Sequence, residues 1–354
     1  MADTLQERAE LCGLNYVCAE NLTIERRRSG RGFTYRCDGK TIRDRRLRRR
    51  LEDLVIPPAW TSVCIAEDPH AHLQAVGRDQ EGRLQYRYHE DWTEVRNAIK
   101  AERLLRFGRA LPKIRERIAR DLDRRRTDRC FSAAVAARLV DRALLRSGHR
   151  GDPADCESAR GATTLLKRDV RLNGRTVTLD FIGKSGKRIR KVIPDTYLPS
   201  RLRKLKAIGK RRLFAYRESD GTRAYLSARD LNQYLKNAAG AQVTSKDFRT
   251  FAASAAALEL FVTSEKPESE AARKRAIASV MREVSDKLAN TMAVCRSSYV
   301  HPLVVQAFQE ERLDANLLRG PHRTHLSAAE TALMRFLEAE HARMKREHEP
   351  DTGR

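Results

Sequence analysis

The stretch TTLLKRDVRLNGRTVTLDFIGKSGKRIRKVI, residues 163–193, decides how the chain is built, because it interrupts a text that reads as helix on both sides. Val177, Leu179 and Phe181 alternate with polar neighbours, the two-residue period of a strand with one buried face. Asn173-Gly174 and the GKSGK of 183–187 place glycines where the chain must reverse. A three-stranded antiparallel meander is expected here, embedded in a helical domain.

Upstream, Val135, Leu139, Val140 and Leu144 recur at helical spacing, so a helix is expected over about 131–146, with Ser132 as N-cap and Gly148 as stop. Residues 93 to 125 carry Val95, Ile99, Leu104, Ile114 and Ile118 in the same rhythm. Downstream, helices are expected at about 227–239 and 247–262, then one carrying Ile277, Val280, Val284 and Leu288, with Met281 as a core filler. A last helix follows the capping box Ser327/Glu330. From 14 to 92 the text changes character: GRGFTYRCDGKTI contains an Asp38-Gly39 turn, and IPPAW at 56–60 halts any helix. HLQAVGRD and RLQYRYH flank Asp79–Gly82 as a hairpin. The expectation is an α+β protein, with a small β-rich domain over 1–92 and a mainly α-helical domain over 93–354 that contains a short antiparallel sheet.

The 354 residues include 71 Lys+Arg against 47 Asp+Glu, a net charge of +24. At 41% hydrophobic the chain can fold, and its excess charge calls for a polyanion, since each cation that neutralises a phosphate releases condensed counterions. Nucleic acid is the first candidate. No apolar run is long enough to span a bilayer and the N-terminus MADTLQERAE is not a secretory signal, so a cytoplasmic protein is expected. The seven cysteines form no CxxC pair and no zinc spacing, which suits reduced thiols. With no cluster of Asp, Glu and His, no metal site and no cofactor are expected.

Four strings stand in the order RALLRSG (142–148), FIGKSGK (181–187), KDFRT (246–250) and NTMAVCRSSYVHP (290–302). With these the sequence resembles a type IB DNA topoisomerase of the compact poxvirus-like kind, in its bacterial branch. IPPAW and GRDQEGRLQYRYH resemble that family's N-terminal domain, so the likeness runs from about residue 20 to about 315. It implies the fold shared with tyrosine recombinases. It also implies relaxation of positive and negative supercoils through a 3′-phosphotyrosyl intermediate, by a monomer that clamps double-stranded DNA, in association with the nucleoid, without ATP or metal.

Carried over by position, the resemblance makes Tyr299 the nucleophile, Arg146 and Arg249 the arginines on the non-bridging oxygens, and Lys184 the general acid, assisted by Lys246. Asn290, nine residues before the tyrosine, takes a position that is His in the poxvirus branch and Asn in bacteria. In-line displacement at phosphorus spreads charge over equatorial oxygens, and guanidinium forks with an amide can meet it without a metal. Arg83, Gln85, Tyr86, Tyr88 and Arg96 are the implied DNA-facing residues of the N-terminal domain; guanidinium and phenol groups reach phosphates, and Gln can read a base edge. His301 lies off the catalytic pattern and reads as structural. Asp152, Ala289 and Met292 depart from the family's usual text. Two rivals share parts of this pattern: a tyrosine recombinase, which carries His where this chain has Lys246, and a non-catalytic basic DNA-binding protein, against which the five retained catalytic types argue.

Overall fold

The computed structural model describes residues 5–148 and 159–348; Asp152 lies outside the described residues. The chain divides into two compact units, Met1–Lys100 and Ala101–Arg354.

In the first unit, α1 (Leu5–Glu10) precedes β1 (Ile24–Ser29), β2 (Gly32–Cys37), β3 (Lys40–Thr41), α2 (Arg45–Asp53), β4 (Thr61–Ile65), β5 (Leu73–Arg78) and β6 (Leu84–Tyr88). The strands form one antiparallel sheet in the order β3-β2-β1-β4-β5-β6. Successive strand residues point to opposite faces, and the sheet packs on both. Ile24, Tyr35, Val63, Ile65 and Ala75 pack with Leu47 and Leu51 of α2, while Leu73 and Val76 pack with Leu22, Ala71 and Tyr88 in a separate cluster. IPPAW has a physical anchor: the buried Arg26 donates to the carbonyls of Ile56 at 2.9 Å, Pro57 at 3.0 Å and Trp60 at 2.9 Å. Neither α1 nor α2 was expected. In α2 five arginines in nine residues obscure the apolar stripe of Leu47 and Leu51.

A long helix, α3 (Trp92–Leu122), carries the boundary between the units within it. In the second unit, α4 (Arg129–Ala143) is buried on nearly every side, its alanines allowing close neighbours. Its N-cap is Asp128, which accepts from the Phe131 amide at 2.9 Å; Ser132, the expected cap, lies inside the helix and is buried. The helix also ends earlier than expected, because Leu144 turns left-handed at φ 54°. Arg146 therefore stands on the segment after the helix, where Ala162 N–H donates to its carbonyl at 2.8 Å.

The meander is present as β7 (Val170–Asn173), β8 (Thr176–Ile182) and β9 (Arg188–Pro194), in that order, with Val177, Leu179 and Phe181 buried. Its first residues form 3-10 turns instead of strand, since Asp169 accepts from the Leu166 amide at 2.8 Å. Next come α5 (Leu198–Ile208), an unexpected hairpin of β10 (Ala215–Arg217) and β11 (Arg223–Tyr225), and α6 (Ala228–Ala239). They are followed by α7 (Ser245–Thr263), α8 (Glu270–Leu288), α9 (Met292–Ser298), α10 (Pro302–Gln309) and α11 (Ala328–His348). Phe107 of α3 meets Phe248 and Phe251 of α7 edge-on, with centroids 5.0 and 5.5 Å apart. Gly108 admits this approach, since a methyl there would collide with Phe251 and Met334. Met281 and Met334 are buried. Among the described residues no helix is long and apolar enough to cross a membrane.

Candidate active site

The exits of α4 and α8 and the β8–β9 hairpin enclose a cavity of about 270 Å³. Arg146, Arg160, Lys184, Lys187, Lys191 and Arg249 line it, Asn290 joins them, and among the described residues no lining side chain is a carboxylate. Four of the five expected catalytic residues thus face one space. Tyr299 does not line it. The tyrosine caps the C-terminal end of α9, only 7% exposed, and the Arg249 guanidinium sits 4.7 Å from its ring centroid.

Each side chain is placed by a local feature. Arg146 Nη2 donates to Asn290 Oδ1 at 2.8 Å. Asn290 follows Ala289, which turns left-handed at φ 52° to end α8, and its carbonyl accepts from Lys187 Nζ at 3.1 Å. The Asn290 amide nitrogen is buried with no acceptor among the described residues, a donor that an oxygen entering the cavity can satisfy. Arg249 is almost fully buried and donates to the carbonyls of Leu144 and, at 3.1 Å, Leu288. Lys184 opens the tight turn between β8 and β9, closed by Gly183 N–H on the Lys187 carbonyl at 2.8 Å, with Ser185 held at φ 62°. Lys246, one turn before Arg249 on α7, is exposed and does not line the cavity.

Burial pushes the Tyr299 phenol up, yet Arg249, Arg146 and Lys246 outweigh it and leave the group below the ordinary tyrosine value. A phenolate is correspondingly easier to form there. Burial pushes the Cys295 thiol, one turn earlier, up to about 11, leaving it a packing group. His301 is buried as the N-cap of α10, its Nδ1 accepting from Leu303 N–H at 3.2 Å. Sequence reasoning missed Arg160, Lys187 and Lys191 as lining groups: Arg160 lies in no motif, Lys187 closes GKSGK behind Lys184, and Lys191 is one of several cations in KRIRK. Among the described residues, no group of three His, Cys, Asp or Glu is placed to hold a metal ion.

In the first unit Tyr86 and Tyr88 stack with centroids 6.0 Å apart, and Arg96 lies 4.9 Å over the Tyr88 ring. Arg83 and Gln85 fold onto Asp79, which accepts from Arg83 Nε at 2.8 Å and Gln85 Nε2 at 2.7 Å. Asp79 was read only as a turn residue; the structure makes it the organiser of both neighbours.

A helical unit with an inserted three-stranded sheet, six cations and an amide around one small cavity, and a buried tyrosine against one of those cations define a class: proteins that handle an oxyanion such as a backbone phosphate. Comparison with known proteins narrows it. Residues 89–317 match the family model described as the eukaryotic DNA topoisomerase I catalytic core, and residues 32–79 match that of the bacterial DNA topoisomerase IB N-terminal domain. DNA topoisomerase 1B of Acanthamoeba polyphaga mimivirus is 30% identical over 267 residues, covering 73% of this chain and 79% of the viral protein. The chain belongs to the type IB DNA topoisomerase family, an isomerase whose partner is DNA.

Proposed function

We propose that this protein relaxes positive and negative supercoils by nicking one strand through Tyr299 and resealing it, with neither ATP nor a required metal. The observation that carries the reading is the shared cavity: Arg146, Arg249, Lys184 and Asn290 line a space with no carboxylate among the described residues, with Tyr299 against Arg249. In this reading a scissile phosphate enters the cavity. Arg146 and Arg249 hold its non-bridging oxygens, and the Asn290 amide donates a further hydrogen bond. Each donor lowers the barrier by roughly 3 kcal/mol, the scale found for single oxyanion donors.

The Tyr299 oxygen forms the bond to phosphorus while the bond to the 5′-oxygen breaks, and that oxygen takes its proton from Lys184. The phenol's own proton passes to solvent, a loss favoured by Arg249, Arg146 and Lys246. Since Tyr299 lies outside the cavity lining, it turns toward the phosphate as Arg249 shifts from its ring to the anion. The covalent link keeps the phosphodiester's energy, so religation is the same step reversed. Arg83, Gln85, Tyr86, Tyr88 and Arg96 hold the duplex in a clamp, and the enzyme acts as a monomer.

The test is incubation with supercoiled plasmid in EDTA without nucleotide. Wild type is expected to relax both supercoil signs, while Tyr299→Phe binds DNA and relaxes none. Residual relaxation by that variant removes Tyr299 from the mechanism.

A further inference from the structure

Lys191 lies in β9, outside the four motif strings. Its ammonium donates to the carbonyl of Ala143 at 2.7 Å and to that of Lys287 at 2.7 Å, in the last turns of α4 and α8. One residue further along each chain, Arg249 repeats the bridge between the carbonyls of Leu144 and Leu288. Two residues beyond that, Arg146 meets Asn290. Three cross-links thus join the same two helix exits in step, at 143 and 287, 144 and 288, 146 and 290.

Helix C-termini carry partial negative charge and unsatisfied carbonyls, so cations placed between two of them stabilise their convergence. Arg249 and Lys191 are those cations. In the proposed reaction Arg249 is drawn toward the phosphate, which leaves Lys191 as the bridge that does not change partners. We infer that Lys191 is a positioning residue for strand cleavage: its charge holds the exits of α4 and α8 at the spacing that lets Arg146 and Asn290 share one phosphate. With two of its donors held by backbone carbonyls, it acts through those two residues. The inference rests on the phosphate reading of the cavity.

Among the described residues, the charged groups that line the cavity with Lys191 are all cations: Arg249 on α7, Arg146 after α4, Arg160, and Lys184 and Lys187 on the hairpin. From α4 and α8 it receives backbone carbonyls. Burial, reinforced by Arg249, brings its pKa down from 10.5 to about 8. The bridge is therefore fully charged below that pH and becomes a neutral amine above it, a weaker donor to two carbonyls.

Single-turnover cleavage of a nicked duplex, followed from about pH 6.5 to about pH 9.5, reads this directly. Lys191→Met is expected to cleave at least about tenfold more slowly, while noncovalent binding, measured with Tyr299→Phe also present, changes by less than about twofold. Lys191→Arg, which keeps its charge, restores cleavage, and wild type falls relative to it as pH passes about 8. Parallel pH profiles for wild type and Lys191→Arg, or wild-type cleavage by Lys191→Met, overturn the inference. If a substitution prevents folding, NMR of wild type without DNA decides: the Asn290 side-chain amide shifts with the Lys191 titration, or the inference fails. Absence of any cleavage by wild type defeats the proposed function instead, and leaves the NMR result to judge the bridge alone.

Discussion

Tyr299 shows how neighbours change the acidity of a common residue. Burial alone would suppress its ionisation, and three cations reverse that. Lys246 is the exposed member, so Lys246→Ala leaves packing intact and is expected to raise the Tyr299 pKa and slow cleavage. Titration by tyrosine-selective NMR checks the shift, and an unmoved phenol contradicts it. Asn290 offers a second probe, because its amide nitrogen is buried without an acceptor. Asn290→Ala is expected to slow single-turnover cleavage about a hundredfold with little change in duplex affinity, the pattern of a donor used chiefly in the transition state. A loss confined to binding would make Asn290 a docking residue.

The elements of the second unit are held by a few placements that can be tested singly. Ala289 ends α8 in a left-handed conformation that costs a non-glycine residue about 1 kcal/mol. Ala289→Gly is expected to raise the denaturant midpoint, by up to about 1 kcal/mol of stability; a lower midpoint means the conformation is not strained. Arg115 of α3 joins Asp141 of α4 at 2.8 Å to Glu330 of α11 at 2.7 Å. Burial pushes the Glu330 carboxyl up, but Arg115 and the Ser327 cap outweigh it and hold it below the usual value. A depressed carboxylate contributes stability above its unfolded pKa and loses it as pH falls through the folded value. Glu330→Gln is expected to cost roughly 2 kcal/mol at neutral pH and to flatten the acid side of the stability curve. An unchanged acid side would show that the pair contributes no linkage.

These elements also show what the sequence made legible. The meander was readable because Val177, Leu179 and Phe181 alternate against fixed turns, and the Ser327/Glu330 box because its two hydrogen bonds are local. The end of α4 was misjudged because Leu144 adopts a conformation that leucine rarely takes, at a point where Arg249 and Lys191, far along the chain, bind the carbonyls of Leu144 and Ala143. The same distance hid Lys191: its partners are two helix ends, and no local pattern records them. Motif context singled out Arg146, Lys184, Arg249 and Asn290, which line one cavity, whereas the position of Tyr299 outside that lining is a matter of packing.

At the scale of the molecule, the net charge of +24 implies that DNA binding releases many counterions. Plasmid relaxation is expected to weaken steeply as salt rises, with the logarithm of affinity falling linearly in the logarithm of salt concentration; affinity indifferent to salt would deny the phosphate contacts their role. The central claim is that Tyr299 attacks phosphorus and keeps the 3′ side of the break. Covalent capture on a denaturing gel tests it, using one duplex labelled at the 5′ end of the cut strand and another labelled at its 3′ end. The account predicts that the 5′-labelled strand moves with the protein, that peptide mapping places the link on Tyr299, and that the 3′-labelled fragment runs free with a 5′-hydroxyl. Protein carried on the 3′-labelled fragment, or a link to any other residue, would contradict it.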